Sequence, residues 1–364
     1  MSQSAIDSAT QEKLDALIRQ EEGDSNSYKG LFAIFLTLTA VAMSLFHLYA
    51  AYAIVPTQVL RTVHVSFVLF LLFLSFPLTA KFKNRLMWWD IIFSLAAIYI
   101  AYYAISGGDN FGDRNTAPNS TDVLIGVGLI LLILEGVRRT NGMILVTVTV
   151  LFLMYALFGD HLPAPWTHKG YSVDRLVGLM YMTLEGVYGT AVDVSATLII
   201  LFTIFGAFLQ FTGAGKFFID FSFAAMGGKS SGVGRTIVLS SFLLGGPSGS
   251  GVATTVTVGS VAAPMLDKVG YEKNAAGGLL AAGGLGAIIS PPVLGAAAFL
   301  IADFLRISYL DVLLMSCIPT ILFYLGLFTM VEIDVRKYGM KAIHFETVES
   351  AWSLSKKYWF HFFS

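Results

Sequence analysis

Residues 235–265 read RTIVLSSFLLGGPSGSGVATTVTVGSVAAPM, an apolar segment interrupted by glycine, serine and proline. It contains two apolar arms, Thr236–Leu244 and Val252–Met265, joined by the glycine-rich segment 245–251. A helix that crosses a bilayer needs about 20 apolar residues, and neither arm is that long. The pattern favours a re-entrant hairpin, whose irregular tip must be buried in protein or line a cavity. The alternative is one long kinked helix in which Gly and Ser let neighbouring helices approach closely.

The composition places the rest of the chain in a membrane as well. Of 364 residues, 55% are hydrophobic and only 13% are charged, about half the charged fraction of a soluble protein. The net charge of −1 gives no electrostatic reason to expect a nucleic-acid partner. The sequence therefore predicts an all-α, polytopic helical membrane protein that has the lipid bilayer as its main partner.

Apolar segments of roughly spanning length recur along the chain. They cover residues 31–55, 62–80, 87–105, 122–137, 141–158, 190–212, 275–302 and 309–332. Two amphipathic segments, 173–188 and 215–227, are predicted to lie along the membrane interface. Residues 1–29 are polar and lack the pattern of a secretory signal peptide. Leu14, Leu17 and Ile18 indicate a short amphipathic helix within them.

The placement of positive charge supports this layout. With the N-terminus in the cytoplasm, 18 of the 23 Lys and Arg residues fall in inner loops and 5 in outer loops. This bias is what the positive-inside rule requires. Arg235 and Lys268 both fall on the inner side only if the segment between them enters and leaves on the same face, which favours the hairpin.

A second interrupted element follows the hairpin. Residues 274–305 carry five glycines between 277 and 286, and then Ser290-Pro291-Pro292 removes two backbone donors near mid-span. We expect the carbonyls of Ala287 and Ile288 to be left free, forming with hairpin carbonyls an oxygen cage for a hard cation. Helix N-termini at the break would suit a carboxylate. The alternative is a helix packed tightly through its glycines and kinked only for shape.

Ionisable residues in the spans are predicted to have structural roles. We expect Glu135 to pair with Arg138 and Arg139, and His47 to hydrogen-bond a neighbouring helix. Asp193 and Asp303 are predicted to lie near outer ends, in water. Enzyme signatures fail: the Gly-Lys-Ser at 228–230 lacks the upstream Gly of a phosphate loop, and the hairpin tip does not match a G-x-S-x-G elbow. The sequence predicts no enzyme.

Four motifs together resemble a known family. They are GAGKFFID at 213–220, the Ser-Gly-Ser tip at 248–250, Gly270-Tyr271, and PPVLGAAAF at 291–299. With them the chain resembles the fused permeases of TRAP transporters, TAXI type, most closely over residues 120–342. The resemblance implies a Na⁺-coupled secondary transporter of organic acids in the cytoplasmic (inner) membrane of a bacterium or archaeon. A periplasmic TAXI-type substrate-binding protein would deliver the substrate.

The resemblance also implies the site residues. Na⁺ would be held at Gly246, Ser248, Ser250, Ser290 and Pro291, with Gly246, Ser250 and Ser290 as the central ligands. The substrate would contact Ser248, Gly249, Ser250, Thr254 and Pro292. The chain departs from the family pattern at Leu280, where relatives carry Glu, and at Ile288, where they carry a polar side chain.

The resemblance divides the chain into three parts. Residues 1–29 would be a cytoplasmic N-terminus, 30–172 a stator-like membrane domain, and 173–364 the first half of a transport domain, with the hairpin at 236–265. Family members carry a second, inverted copy of the hairpin and broken helix, so we expect the remaining half in the same or a separate chain. Without it, this chain is expected not to transport. The alternative function is a non-transporting membrane scaffold or assembly subunit that retains the half-permease fold.

Overall fold

The structure, a computed structural model, describes residues 25–227, 230–248, 251–291, 294–340 and 349–362. These residues form helices joined by short loops, and no β-strand occurs among them. The predicted all-α fold is therefore confirmed. The short helix predicted around Leu14–Ile18 lies outside the described residues.

Seven helices in the described part of the chain are long and apolar enough to cross a membrane. The spans predicted from hydropathy agree with them to within a few residues at most ends. The exception is the predicted span 275–302, which consists of two separate helices. The seven are Leu31–Tyr52, Thr57–Ser75, Trp88–Ser106, Ser120–Asn141, Met143–His161, Thr190–Phe208 and Tyr309–Tyr338.

The chain forms two compact units, and the first contains the described residues up to Ile200. Its elements are α1 (Leu31–Tyr52), α2 (Thr57–Ser75), α3 (Trp88–Ser106), α4 (Gly108–Asp113), α5 (Ser120–Asn141), α6 (Met143–Phe158), α7 (Val173–Met182), α8 (Thr190–Val194) and a π-helical turn, Ser195–Ile199. Between α5 and α6 the chain turns at one residue, Gly142, with φ +80°. Such a conformation is open to glycine at little steric cost.

The core of the first unit lies among α2, α3, α5 and α7. Phe73, Leu129, Val177 and Tyr181 are almost completely buried in one cluster. The Tyr181 hydroxyl donates to the carbonyl of Ile100 on α3 at 2.9 Å, so the one polar atom of this ring is satisfied. The predicted interfacial segment 173–188 therefore contributes α7 to this core.

Buried charges join the helices of the first unit. Arg139 on α5 is fully buried and donates to Asp90 on α3 at 2.7 Å and to Glu135 at 2.8 Å. Arg138 pairs with the same glutamate at 2.7 Å. The pairing predicted for Glu135 is thus confirmed, and Asp90 joins the same network.

A second polar connection ties α1 to α2 and to the π-helical turn. His47 Nδ1 lies 2.7 Å from the carbonyl of Met43, which can only accept. His64 Nδ1 lies 2.9 Å from His47 Nε2, and Ser195 Oγ lies 3.0 Å from His64 Nε2. The predicted interhelical bond of His47 is confirmed. Asp193, predicted to be in water, is only partly exposed and pairs with Arg61 at 2.9 Å.

The second unit contains the described residues from Leu201 onward. The domain boundary predicted at 172/173 stays a prediction, as does the interfacial position of α7 and α10. The elements are α9 (Ile200–Phe211), α10 (Ala214–Met226), α11 (Gly232–Ser248), α12 (Gly251–Val269), α13 (Lys273–Ile289), α14 (Ala296–Leu305), α15 (Tyr309–Tyr338) and α16 (Ala351–Lys357).

Candidate functional site

The two arms of the predicted hairpin are separate helices that pack side by side, α11 and α12. Val233 and Ile237 near the start of α11 share one buried cluster with Leu266 and Val269 near the end of α12. The arms are therefore antiparallel, and the chain doubles back between them. Neither arm is among the helices of the described chain that could span a membrane alone. The membrane face on which the hairpin enters stays a prediction.

Helix α13 packs against both arms through its glycines. A Cβ on Gly283 would lie 2.5 Å from Ser241 Oγ of α11, and a Cβ on Gly284 would collide with Thr255 Oγ1 of α12. By contrast, a Cβ on Gly277 would meet nothing within 4 Å. Tight packing through glycine, the alternative raised from the sequence, is therefore a real feature of this helix, alongside its break.

The break lies where the Ser-Pro-Pro motif predicted it. Helix α13 ends at Ile289, and Ser290 has extended backbone angles, φ −90° and ψ 126°. The expectation that the Ile288 carbonyl is free was wrong, because it accepts the N–H of Gly295 at 2.7 Å. The chain turns back after the prolines, and this brings the start of α14 onto the end of α13.

Three hydroxyl groups of α15 hold both sides of the break. Thr320 Oγ1 donates to the carbonyl of Ile289 at 2.6 Å, and Tyr309 OH accepts the N–H of Leu294 at 3.1 Å. Tyr324 OH lies 3.1 Å from Ser290 Oγ. These three residues were not among the site residues predicted from the sequence. Their spacing of 11 and 4 residues puts them on one face of the helix, a signal that could have identified them.

The predicted site residues fall around this junction. Ser290 is completely buried, and its hydroxyl donates to the carbonyl of Gly286 at 2.5 Å. Pro291 follows it and is half-buried. Thr254, in the first turn of α12, is completely buried. Gly246 and Ser248 belong to the last turns of α11, and Gly249, Ser250 and Pro292 lie outside the described residues.

The residues that flank the hairpin tip contact the end of α13. Gly245 packs on Ala287, since a Cβ on Gly245 would lie 2.6 Å from Ala287 Cα. On the other side of the tip, a Cβ added to Gly251 would lie 3.2 Å from Ile288 Cδ1. Tip and break, separated by about 40 residues of sequence, are thus neighbours. The ligand set predicted at the tip itself stays a prediction.

Two helix N-termini meet at one residue beside the break. Helix α12 begins at Gly251 and helix α14 follows Gly295, and both glycines lie against the side chain of Ile288. Ile288 itself is 38% exposed. The N-terminus of a helix carries a partial positive charge and unpaired N–H groups, which favour an anion.

Polar contacts at the other end of the hairpin fasten it to α15. Arg235 pairs with Glu332 at 2.6 Å, and Tyr271 OH donates to Asp334 at 2.8 Å. Burial raises the pKa of Tyr271, and the Asp334 carboxylate raises it further. Backbone N–H groups of Asn274 and Ala275 lower the pKa of Glu272, which caps α13. Helix α15 therefore contacts the hairpin base as well as the break.

A comparison with protein families matches the part of the chain that contains the hairpin and the broken helix. Residues 128–363 match the family described as "Tripartite ATP-independent periplasmic transporter, DctM component". The matched segment covers nearly two thirds of the chain and includes α7, the hairpin, the broken helix and α15. No curated protein matches the chain.

Proposed function

Since this chain belongs to the DctM component family of tripartite ATP-independent periplasmic transporters and is a membrane permease component, we propose that it takes up an organic acid together with Na⁺. The transporter would be of the TAXI type and would lie in the cytoplasmic (inner) membrane, with its N-terminus in the cytoplasm. Its partners would be a periplasmic substrate-binding protein and the remaining half of the permease. The observation that carries the proposal is the meeting of two helix N-termini beside an interrupted helix, next to the hairpin tip.

The chemistry of the junction suits both solutes. Carboxylates are bound well by helix N-termini, and those of α12 and α14 lie against the same residue, Ile288. A hard cation prefers oxygen ligands, which the end of α13 supplies as carbonyls and the Ser290 hydroxyl. Broken helices in transporters pair these two features, with N-termini toward the anion and C-terminal carbonyls toward the cation.

The proposal predicts stabilisation of the purified chain by Na⁺. A bound ion shifts the unfolding equilibrium by mass action, by about 2.7 kcal/mol at a concentration 100 times its Kd. We expect NaCl to raise the melting temperature in detergent, with choline chloride keeping the ionic strength constant. Ser250→Ala should weaken that response. Ser260→Ala is the control, because its hydroxyl contacts the Thr257 carbonyl, 2.9 Å away within α12.

Substrate class is tested in the same assay. With Na⁺ at saturation, small carboxylic acids should raise the melting temperature further, whereas the corresponding amides should not, because only the acids carry the charge that the two N-termini favour. A chain that responds to neither Na⁺ nor any carboxylate would contradict the proposal.

One observation favours the second candidate, a non-transporting scaffold or assembly subunit. Leu280, at the position where relatives carry Glu, packs in the apolar core of the second unit, and a Cβ on Gly259 of α12 would lie 3.6 Å from its Cδ1. This position is therefore a helix-packing contact in this chain. A scaffold would show the same fold and no response to Na⁺, so the melting experiment separates the two functions.

A further inference from the structure

The hydroxyl of Thr320 faces two carbonyl oxygens and has one proton to give. Thr320 Oγ1 lies 2.6 Å from the carbonyl of Ile289, at the end of α13, and 2.7 Å from the carbonyl of Ser316, in its own helix. Thr320 is 4% exposed, so water does not replace either contact. Since both carbonyl oxygens lie within hydrogen-bond distance, rotation about the Cβ–Oγ1 bond can point the hydroxyl proton at either one.

The two positions of this proton leave the break in different states. When Thr320 donates to Ile289, that carbonyl is capped. When it donates to Ser316, a helical threonine's usual alternative, the Ile289 oxygen and Thr320 Oγ1 face each other with lone pairs only. Two bare oxygens this close repel each other unless a positive charge lies against both.

The position of Ile289 adds to the attraction for a cation. Ile289 is the last residue of α13, a helix of 17 residues, so its carbonyl lies at the negative end of the helix dipole. Next to it, Ser290 Oγ lies 2.5 Å from the carbonyl of Gly286 and 3.1 Å from Tyr324 OH. Its single proton can serve only one of these contacts at a time, and Ser290 Oγ keeps at least one lone pair. Three oxygens at the end of α13 thus have electron pairs to offer.

We infer that Thr320 Oγ1 and the Ile289 carbonyl oxygen are ligands of a monovalent cation, and that the Thr320 hydroxyl caps the carbonyl when the cation is absent. The inference rests on the proposed Na⁺ coupling and deepens it, because it adds a ligand from α15 to a site otherwise built from the hairpin and the broken helix. The hydroxyl keeps a partner in both states, so releasing the carbonyl leaves no buried donor unsatisfied.

The test is the Na⁺ concentration that gives half of the maximal thermal stabilisation of the full chain. Thr320→Val keeps the shape and removes the hydroxyl, and we expect it to raise this midpoint at least tenfold. Thr320→Ser keeps the hydroxyl and should stay within about threefold of the parent chain. Thr329→Val is the matched control on the same helix, because Thr329 contacts only the Leu325 carbonyl of its own turn, at 2.7 Å. Its midpoint should not change.

The outcomes separate this inference from the proposed function. If the parent chain shows no Na⁺ response, both are wrong. If it responds and Thr320→Val lowers the melting temperature without Na⁺ but keeps the midpoint, Thr320 is a packing residue and only this inference is wrong. Thr320→Ala removes the same hydroxyl without adding volume, and it replaces the valine variant in this assay if that variant cannot be purified.

Discussion

The most deeply buried polar contacts between helices differ in chemistry between the two units of the chain. In the first unit, charged side chains connect separate helices, as Arg139 connects α5 to α3 through Asp90. In the second unit, the contacts around the break are glycine packing and single hydroxyls, such as that of Thr320. Breaking a buried ion pair leaves an uncompensated charge, whereas a hydroxyl can find another acceptor nearby. Loss of a single buried contact should therefore cost more in the first unit than in the second.

The largest expected effect comes from the first unit, at Arg139. Arg139→Met removes the partner of the buried Asp90 carboxylate and one partner of the half-buried Glu135, and should cost about 3–5 kcal/mol of unfolding free energy. Unfolding in detergent measures it. Arg138→Met is the control: Arg138 shares Glu135 but is partly exposed, so the expected cost is below about 1 kcal/mol. Equal costs would show that the burial of Arg139 does not determine its contribution to stability.

The hydrogen-bonded connection through His47 and His64 comes next. His64→Leu leaves His47 Nε2 and the Ser195 hydroxyl without their common partner. Each lost bond to a buried group costs about 1 kcal/mol, so we expect a loss near 2 kcal/mol. His161→Leu, at an exposed site, should change stability by less than about 0.5 kcal/mol. A cost for His64→Leu no larger than that would show that the α1–α2 contact does not depend on this connection.

Glycine packing in the second unit is tested at Gly284. Gly284→Ala forces α13 away from Thr255 and the Gly251 carbonyl, and such overpacking costs about 1–3 kcal/mol. Gly277→Ala is the control on the same helix. Its Cβ meets nothing, so the better helix propensity of Ala should stabilise the chain by up to about 1 kcal/mol. Thermal unfolding should therefore show opposite signs; the same sign at both positions would contradict the packing described for α13.

The smallest effect concerns pH and the amphipathic helix α10. Burial raises the pKa of the Asp220 carboxyl, and the Lys216 charge only partly offsets this. Well below the ordinary aspartate pKa, at about pH 2–3, the carboxyl is neutral in both the folded and the unfolded chain. As the pH rises, the unfolded chain releases the proton first, so stability falls until the folded chain also ionises.

Asp220→Asn should remove that part of the pH dependence and make the chain slightly more stable at neutral pH. Melting temperatures between pH 4 and 8 measure it, with Asp174→Asn, an exposed acid of α7, as the control. If Asp220→Asn instead destabilised the chain at neutral pH, ionised Asp220 would be a stabilising contact, and charge would matter in both units.

Much of the fold followed from the sequence because apolar length and proline position are local signals. The spans, the doubling back at Gly245–Gly251 and the break after Ile289 all depend on residues close together in the chain. The pairing of Glu135 with Arg138 and Arg139, one turn apart on a helix, was predictable for the same reason.

The partners of the break were not predictable, because they depend on tertiary packing. The Ile288 carbonyl loses its helical donor to a proline, yet the chain supplies another from Gly295, seven residues on. Thr320 lies in an apolar helix, where a threonine hydroxyl usually contacts its own backbone, so its bond to Ile289 on α13 could not be predicted. The partner of the Tyr324 hydroxyl likewise depends on the packing of α15 on α13.

The length of α15 has a consequence for the electrical environment of the site. Its 30 residues extend about 45 Å, beyond the roughly 30 Å of bilayer hydrocarbon, and its charged end carries Glu332, which anchors Arg235 near the start of α11. The 17 residues of α11 extend about 25 Å from that contact. On the proposed function, a cation bound at the far end of α11 would lie within the bilayer and cross part of the transmembrane voltage, which is worth about 2.3 kcal/mol per 100 mV for a charge that crosses it completely. The Na⁺ affinity of the junction would then depend on the membrane potential.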